Sequence, residues 1–552
     1  MQYSTQVAIV GAGPVGLCLA LDLAWRGINV IIVEQRPAGE PPSVKCNHIA
    51  SRTMESFRRL GFVDKIRAVG LPADYPNDVV FRTRATGREL SRIHIPCRRD
   101  RYVDKSGPDG NWATPEPPHR VSQIYFEPVL FAEAIANPRI RILNDTQVEC
   151  VEQDHTGAHL SSKNSKNGEP LHVSAHFVIG CDGGRSLVRK TIGAKYVGDA
   201  VIQRVQSSFI RAPQLASLIT KPDAWMSYLY NPVRAGNLVA IDGKELWLLH
   251  NYLLPHEEGF ESVNRDACVR LLLGVGADFK YEVLAKEDWI GRRLVVDKLR
   301  CDRVFICGDA AHLWVPYAGY GMNAGIADAF NLSWLLASHL NRWAPAEILD
   351  GYELERLPIT EQVSRFAMRH ATGAIAERNS VPPDIEADTT EGAQARARVG
   401  AAAYALNVQQ FACAGLNYGY FYPSSPIIHY DDEPAPAYTM HDYTPAAVPG
   451  CRLPHLWIDS NQSLYDLLGP EFTLLRFDST ISVEALLVAA KGHGIPLRLL
   501  DLEFESLPAP YRHALYLSRP DVHIAWRGNA LPANPDELLA IVTGRSMSTR
   551  AR

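Results

Sequence analysis

The feature that most constrains this chain is Gly11-Ala12-Gly13-Pro14-Val15-Gly16, because of what stands on either side of it. Val7-Ala8-Ile9-Val10 before it is an apolar run of strand length. Leu17, Leu19, Ala20, Leu21, Leu23 and Ala24 after it read as a buried helix, and a second apolar run, Val30-Ile31-Ile32-Val33, ends in Glu34. This is a βαβ unit with the dinucleotide fingerprint in its full context. Gly11 permits the tight turn, Gly13 lets the backbone approach a pyrophosphate, and Gly16 lets helix and strand pack closely. The helix N-terminus offers free N–H groups and a positive dipole to the phosphates. Glu34 is placed to accept hydrogen bonds from a ribose diol, and its charge disfavours a 2′-phosphate. The site is therefore expected to hold FAD or NAD by the adenosine half, and not NADP, with Pro14, Val15 and Gln35 completing the contacts.

Two later segments repeat the pattern of a strand running into glycine and a carboxylate. Phe177-Val178-Ile179-Gly180 leads into Cys181-Asp182-Gly183-Gly184-Arg185-Ser186, and Arg303-Val304-Phe305-Ile306-Cys307 leads into Gly308-Asp309-Ala310-Ala311-His312. Pro316, Gly319, Gly321, Asn323 and Gly325 follow, before a helix expected over Asp328 to Leu336. A carboxylate directly after a strand can reach a polyol, and a glycine-rich loop before a helix exposes N–H groups to an anionic or carbonyl edge. Three such segments, far apart in sequence, fit one long cofactor better than three separate sites. Plainer readings stand beside these. Asp182 could cap a turn, Asp309 could cap the next helix, His312 could satisfy backbone groups, and Arg52 could pair with Glu55 or Glu34.

On these motifs the chain resembles the single-component, class A flavoprotein aromatic hydroxylases, which act on phenols, chlorophenols, hydroxyphenylpropionate and aromatic polyketides. The likeness spans most of the chain in order. It implies non-covalent FAD, with Gly11 to Gly16 at the ADP moiety, Asp182 and Gly183 in the segment credited with contacts to FAD and the nicotinamide cofactor, and Gly308 and Asp309 at the ribityl chain. Pro316 to Asn323 is similar to the loop that cradles the flavin ring, with Gly319 and Gly321 allowing close approach and the backbone of Met322 and Asn323 facing the N1/C2 carbonyl edge. Lys45 stands where the family often has an arginine, and Gln123 matches a family glutamine near the ribityl and phosphate region. The resemblance implies NAD(P)H as a transient co-substrate, and no second Gly-x-Gly-x-x-Gly exists to hold it. It also implies O₂ addition at flavin carbon 4a and delivery of oxygen from that hydroperoxide to an activated ring.

The fold expected is α/β: a Rossmann-like FAD domain (1–74, 110–190 and 290–385) with an inserted sheet domain for substrate (75–109 and 191–289). A helical or loop connection (386–444) and a thioredoxin-like C-terminal domain (445–552) complete it. That last domain holds one cysteine, Cys451, so dithiol redox chemistry is excluded by arithmetic. A phenol is a better nucleophile without its proton, so a base or hydrogen-bond relay is expected at its hydroxyl. Tyr228, Tyr230, His250 and Tyr252 in the inserted sheet and Pro316 and Tyr317 in the flavin loop are the candidates. Strand alternation puts Tyr228 with Tyr230 and His250 with Tyr252 on one face each, without saying which face looks inward. Trp225 and Trp247 read equally as pocket wall or core.

Composition closes off other classes. The formal net charge of −5 gives no basic surface for nucleic acid or anionic lipid. The ten cysteines include no Cys-x-x-Cys, and no His/Cys/carboxylate cluster suggests a metal. Scattered thiols and the lack of a basic n-region point to the cytoplasm, and prolines and amides interrupt every long apolar run, so no membrane span is expected. A homodimer is the one assembly considered. The rival readings are another flavin-dependent oxidoreductase, halogenase-like or an epoxidase, and a non-enzymatic protein on the same fold; the halogenase Gly-Trp-x-Trp-x-Ile-Pro segment is absent.

Overall fold

The computed structural model describes residues 1–110 and 112–550, the side chains of Ala318, Ser548, Thr549 and Arg550 excepted. Its first sheet is built around strand Gln2–Val10, which runs parallel to Val30–Val33 on one side and to Pro170–Gly180 on the other. Ile140–Leu143 and Val304–Ile306 extend it, again in parallel, and Arg300–Cys301 closes one edge antiparallel. Where the strands run under the helices they are apolar and buried on both faces, as parallel sheets require: Val7 to Val10 and Phe177 to Gly180 are buried at every position. Val30–Val33 is buried at every position. Helices Pro14–Trp25 and Tyr320–Leu340 pack against each other over the sheet, and each is apolar nearly all round.

The second sheet takes strands from both insertions. Its order is His312–Trp314, Glu282–Val296, Tyr196–Arg211, Leu246–Tyr252, Gly236–Ala240, Met226–Leu229, Val79–Arg82 and Glu89–Ile93. The strand from the first insertion, Val79–Arg82, runs parallel to Met226–Leu229. His312–Trp314 belongs to the flavin-loop segment yet pairs with Glu282–Val296, so the sheet is tied to the nucleotide domain through its own backbone.

The third sheet has the thioredoxin-like pattern. Phe472–Arg476 and Leu497–Asp501 pair in parallel across the helix Glu484–Gly492, and Leu515–Ser518 and Ile524–Gly528 add an antiparallel hairpin. Buried charge fastens it to the rest. Arg519 reaches Glu355 of the long helix Asp350–Asn379 and also Asp521, while Arg452 pairs with Glu55. Among the described residues no helix is long and apolar enough to cross a membrane, and no group of three or more His, Cys, Asp or Glu could hold a metal ion.

One element differs from the sequence expectation. The helix expected from Asp328 begins at Tyr320, so Gly321, Met322 and Asn323 lie in its first turn. Glycines on either side of Met322 and Asn323 read as a loop in the sequence and hide that start. Gln123 opens the helix Gln123–Ala136. Between the flavin domain and the third sheet lie helices Thr390–Phe411 and Ala414–Tyr418.

Candidate active site

The phosphate cradle is a meeting of backbones. Gly11 has φ +104°, and a Cβ there would lie 2.5 Å from the carbonyl oxygen of Cys181. A Cβ on Gly16 would lie 2.1 Å from the carbonyl oxygen of Gly11, whereas one on Gly13 would meet nothing within 4 Å. The first and third glycines therefore serve packing, and the second keeps space beside the helix N-terminus. Gly325 closes the same junction from the far side: a Cβ there would lie 2.8 Å from the Cα of Gly308.

Glu34 is buried at the end of its strand. It accepts from the N–H of Ala12 at 2.6 Å and from Arg36, whose guanidinium also reaches Glu127. Gln123 donates to Glu127 at 2.6 Å, and its N–H bonds the carbonyl of Cys46. Gln35 is exposed. The Glu34 carboxylate is thus held by the protein's own donors, and Arg36 and Glu127, which the sequence did not single out, belong to the same network.

Asp182 has one oxygen committed to the protein and one open. One oxygen caps the helix Leu187–Thr191 through the N–H groups of Leu187 and Val188. The other is buried with no partner in the protein, an arrangement that asks for a ligand donor. Asp309 opens onto the cleft yet is ringed by protein, and this burial pushes its carboxyl up against the pull of His312 and Lys45. Arg189 spans the two carboxylate segments, donating to the carbonyls of Gly184 and Ala310 and to the Tyr196 hydroxyl.

His312 is structural. It sits 2.6 Å from Asp328, which also takes Nε of Arg356 at 2.9 Å. Burial alone would raise the Asp328 carboxyl, but those two partners outweigh it and hold it below the usual range. Arg52 does not pair with Glu55 or Glu34: its guanidinium lies 4.2 Å over the Tyr420 ring and 3.4 Å from His523. Glu34 and Glu55 already have arginines of their own. Lys45 forms an ion pair with Glu287 of the second sheet, bridging the cofactor segment to the roof.

The flavin loop is braced from below. The Asn323 side chain accepts from the N–H of Ala50 and the Thr53 hydroxyl and donates to the carbonyls of His48 and Gly319. Gly319, at φ +61°, presses on His48, where a Cβ would come within 2.9 Å of Nδ1. At Gly321, in the first turn of the helix, a Cβ would meet only Trp314 of the protein, at 3.9 Å.

The sheet register settles which faces look inward. Tyr228, Asn237, His250, Ser207 and Glu287 are cross-strand partners in one row. Because Glu287 ends on Lys45, this row faces the flavin loop. His250 Nδ1 is 2.6 Å from the Ser207 hydroxyl, which also accepts from the Trp289 indole at 2.8 Å. Burial lowers His250 to about 4, so it is neutral near pH 7. Asn237 Oδ1 is buried without a protein partner. Tyr252, two residues on from His250, lies under Arg378, and Arg378 donates to the Tyr317 hydroxyl at 3.2 Å. Tyr230 donates to Glu377 at 2.7 Å. Trp225 packs on Phe411 and under Arg120, and Trp247 is buried.

Residues 4–367 match the family described as FAD binding domain, and residues 446–546 match the C-terminal domain of aromatic-ring hydroxylases. The chain belongs to this FAD-binding family and is an FAD-dependent aromatic monooxygenase that uses NAD(P)H. It is 30% identical to the FAD-dependent monooxygenase apdD of Emericella nidulans, over 98% of this chain and 90% of that one. It is 28% identical to the phenol 2-monooxygenase of Pseudomonas sp. strain EST1001, over 97% and 91%. Among solved structures, the rebeccamycin biosynthetic enzyme RebC with reduced flavin superposes with a TM-score of 0.88 at 32% identity, covering 99% of each chain. The glycine junction, the open edge at Gly13 and the half-free Asp182 fit FAD.

Proposed function

We propose that the substrate is a phenolic ring, single or fused, that lies between the flavin loop and the row Tyr228, Asn237, His250 and Ser207. The observation that carries this reading is His250 itself: a half-buried, neutral imidazole anchored at Nδ1, in a row whose Asn237 oxygen has no protein partner. FAD, when bound through Gly11 to Gly16, Glu34, Asp182, Gly183, Gly308, Asp309 and the 316–323 loop, takes electrons from NAD(P)H and activates O₂ for transfer to a ring. The protein's own part is to position the ring, exclude water and manage one proton.

Magnitudes narrow the role of His250. Its proton affinity corresponds to about 4, while a phenol titrates near ~10. His250 therefore does not take the proton outright. With Nδ1–H donating to Ser207, its Nε2 accepts a hydrogen bond from the ring hydroxyl and pushes electron density into the ring. Tyr228, whose hydroxyl burial holds well above its ordinary range, stays protonated beside it. Pro316 and Tyr317 set the lower wall. Ten unpaired cysteines support a reducing, cytoplasmic setting.

The test is a screen of NAD(P)H oxidation against phenols and fused phenols, with hydroxylated product and peroxide both quantified. Coupled product from a phenol supports the reading; oxidation unaffected by every phenol rejects it. His250→Leu should lower kcat/KM about three- to tenfold, the worth of one hydrogen bond between neutral groups, and His250→Gln should restore part of it. A wild-type pH profile with a base near ~6.5 that vanishes in His250→Gln would instead make His250 a general base.

A further inference from the structure

We propose that the C-terminal domain positions the flavin loop, and that Arg52, on the helix Ser51–Arg59, is the positioning residue through which it does so. That domain has a single cysteine and so no dithiol chemistry of its own.

The helix Ser51–Arg59 stands between the two. Its start is tied to the flavin loop by one side chain. Asn323 Oδ1 accepts from the N–H of Ala50 at 2.8 Å and from the Thr53 hydroxyl at 2.9 Å, while Nδ2 donates to the carbonyl of Gly319 at 2.7 Å. Asn323 is buried, so water does not stand in for these bonds, and the loop and the helix start move together. Arg52, Glu55 and Arg59 follow one another at helical spacing and share a face. The C-terminal domain holds that face along its length. Arg52 reaches His523, Glu55 pairs with Arg452, and Arg59 donates to the carbonyl of Pro520 at 3.3 Å. Arg58 adds two bonds of 2.8 Å to Asp466. Met54 and Phe57 lie fully buried in the nucleotide-domain core.

Arg52 is the contact nearest the loop, and its chemistry is not ordinary charge pairing. Its guanidinium lies 4.2 Å from the centre of the Tyr420 ring, Nη2 is 3.4 Å from His523 Nε2, and Nη1 is buried with no partner in the protein. It forms no ion pair among the described residues. His523 is wholly buried, which lowers it to about 3 and keeps it neutral near pH 7. Asp521 stands 3.3 Å from its Nδ1 and favours the tautomer with the proton there, which leaves Nε2 to accept from Arg52. Asp521 is held in turn by Arg519, and Arg519 by Glu355. A simple charge pair tolerates several geometries, whereas a stack on one ring and a bond to one ring nitrogen fix the guanidinium plane. Tyr420 itself packs in one apolar cluster with Tyr320 and Ala324, at the start of the helix that closes the flavin loop. A cavity of about 50 Å³, lined by Arg52, Asn323, Asn331 and Asp521, separates the loop turn from the C-terminal domain at this point. Packing alone therefore does not carry position across the gap, and Arg52 spans it.

The experiment follows hydrogen–deuterium exchange in the FAD-loaded full-length enzyme, together with the visible circular dichroism of its bound flavin. Arg52→Met removes the donors and keeps the bulk; His523→Leu removes the acceptor from the far side. In both, exchange over residues 316–326 should rise about threefold or more, a local loosening well short of unfolding. The flavin dichroism should change with it, while exchange over the phosphate turn 11–16 stays as in the parent. Arg52→Lys, which keeps a charge over Tyr420, should recover part of both signals. Flavin content and melting temperature show whether each variant is folded; if Arg52→Met is not, His523→Leu and Arg52→Lys decide. A role in stability alone would lower the melting temperature and speed exchange over 51–59 while leaving 316–326 and the dichroism unchanged, and that result overturns the proposal. So does a rise in exchange spread equally over 11–16. Gly319→Ala, strained at its positive φ and pressed on His48, shifts the loop directly and is the control. If it leaves the flavin dichroism unchanged, the loop does not line the flavin and the proposal falls with that assignment; if it alone changes the dichroism, the loop assignment stands and the role of Arg52 is rejected.

Discussion

At the glycine-rich turn, Gly16 presses on the backbone of Gly11 within the same turn, and Gly11 presses on the backbone of Cys181 on the neighbouring strand. Under the roof, Tyr228, Asn237, His250, Ser207 and Glu287 come from five strands and meet only because the register aligns them. The first region is made of main chain, with steric tolerance of a few tenths of an ångström. The second is made of side chains, each of which can change without moving its neighbours' backbone. The cradle should therefore be unforgiving and generic, and the roof forgiving and specific.

The comparison breaks most easily at Gly11. Gly11→Ala puts a Cβ 2.5 Å from the Cys181 oxygen at a positive φ. Strain of about 1–3 kcal/mol plus the clash should cost at least tenfold in FAD affinity and lower the melting temperature as well. Flavin-to-protein ratio after desalting checks it; retention of full flavin would mean that the junction can open freely. Asp309→Ala should weaken FAD by about ten- to a hundredfold with little change in fold, since it removes only acceptors for ribityl hydroxyls. Glu34→Ala should act similarly, with an added stability loss because Arg36 and Ala12 lose their partner.

Acid should separate the regions in another way. His250 and His370 titrate near 4, and His119, His455 and His523 near 3, all depressed by burial from 6.5. The unfolded chain takes up these protons first, so stability is complete above about pH 6.5 and falls as pH drops through that interval toward the folded values. Denaturant midpoints at successive pH values should decline accordingly, and His250→Gln should flatten part of the slope. A flat profile would contradict neutral buried histidines.

The smallest effect is expected at Gly321→Ala, which meets only Trp314 at 3.9 Å. Its melting temperature should match the parent's, so any rise of peroxide relative to product would report the flavin loop directly. Gly319→Ala, strained and pressed on His48, should shift both. Flavin should also leave the protein on acid precipitation. Cys46, the thiol beside Asp309, is pushed up to about 12 by burial and so lacks the thiolate that a covalent link needs; a yellow pellet would show otherwise.

The sequence by itself determined the nucleotide fold and its motifs, because Gly11 with Gly16, Asp182 and Asp309 each sit in their own strand–turn segment, where the order of residues is the order in space. It also determined the thioredoxin-like end and the loss of its redox pair. It could not supply the pairing of Lys45 with Glu287, the bridge made by Arg189, or the first turn of helix that absorbs Gly321. Nor could it tell which way His250 and Tyr252 face, since period-2 alternation is symmetric until one face is buried against something. Arg378 shows the limit most plainly. In the chain it follows Glu377 and reads as half of a solvated pair; only the fold turns Glu377 to Tyr230 and leaves Arg378 buried beneath the roof with tyrosines for company. Whether a charge is compensated depends on neighbours brought from far along the chain, and that is a property of tertiary structure alone.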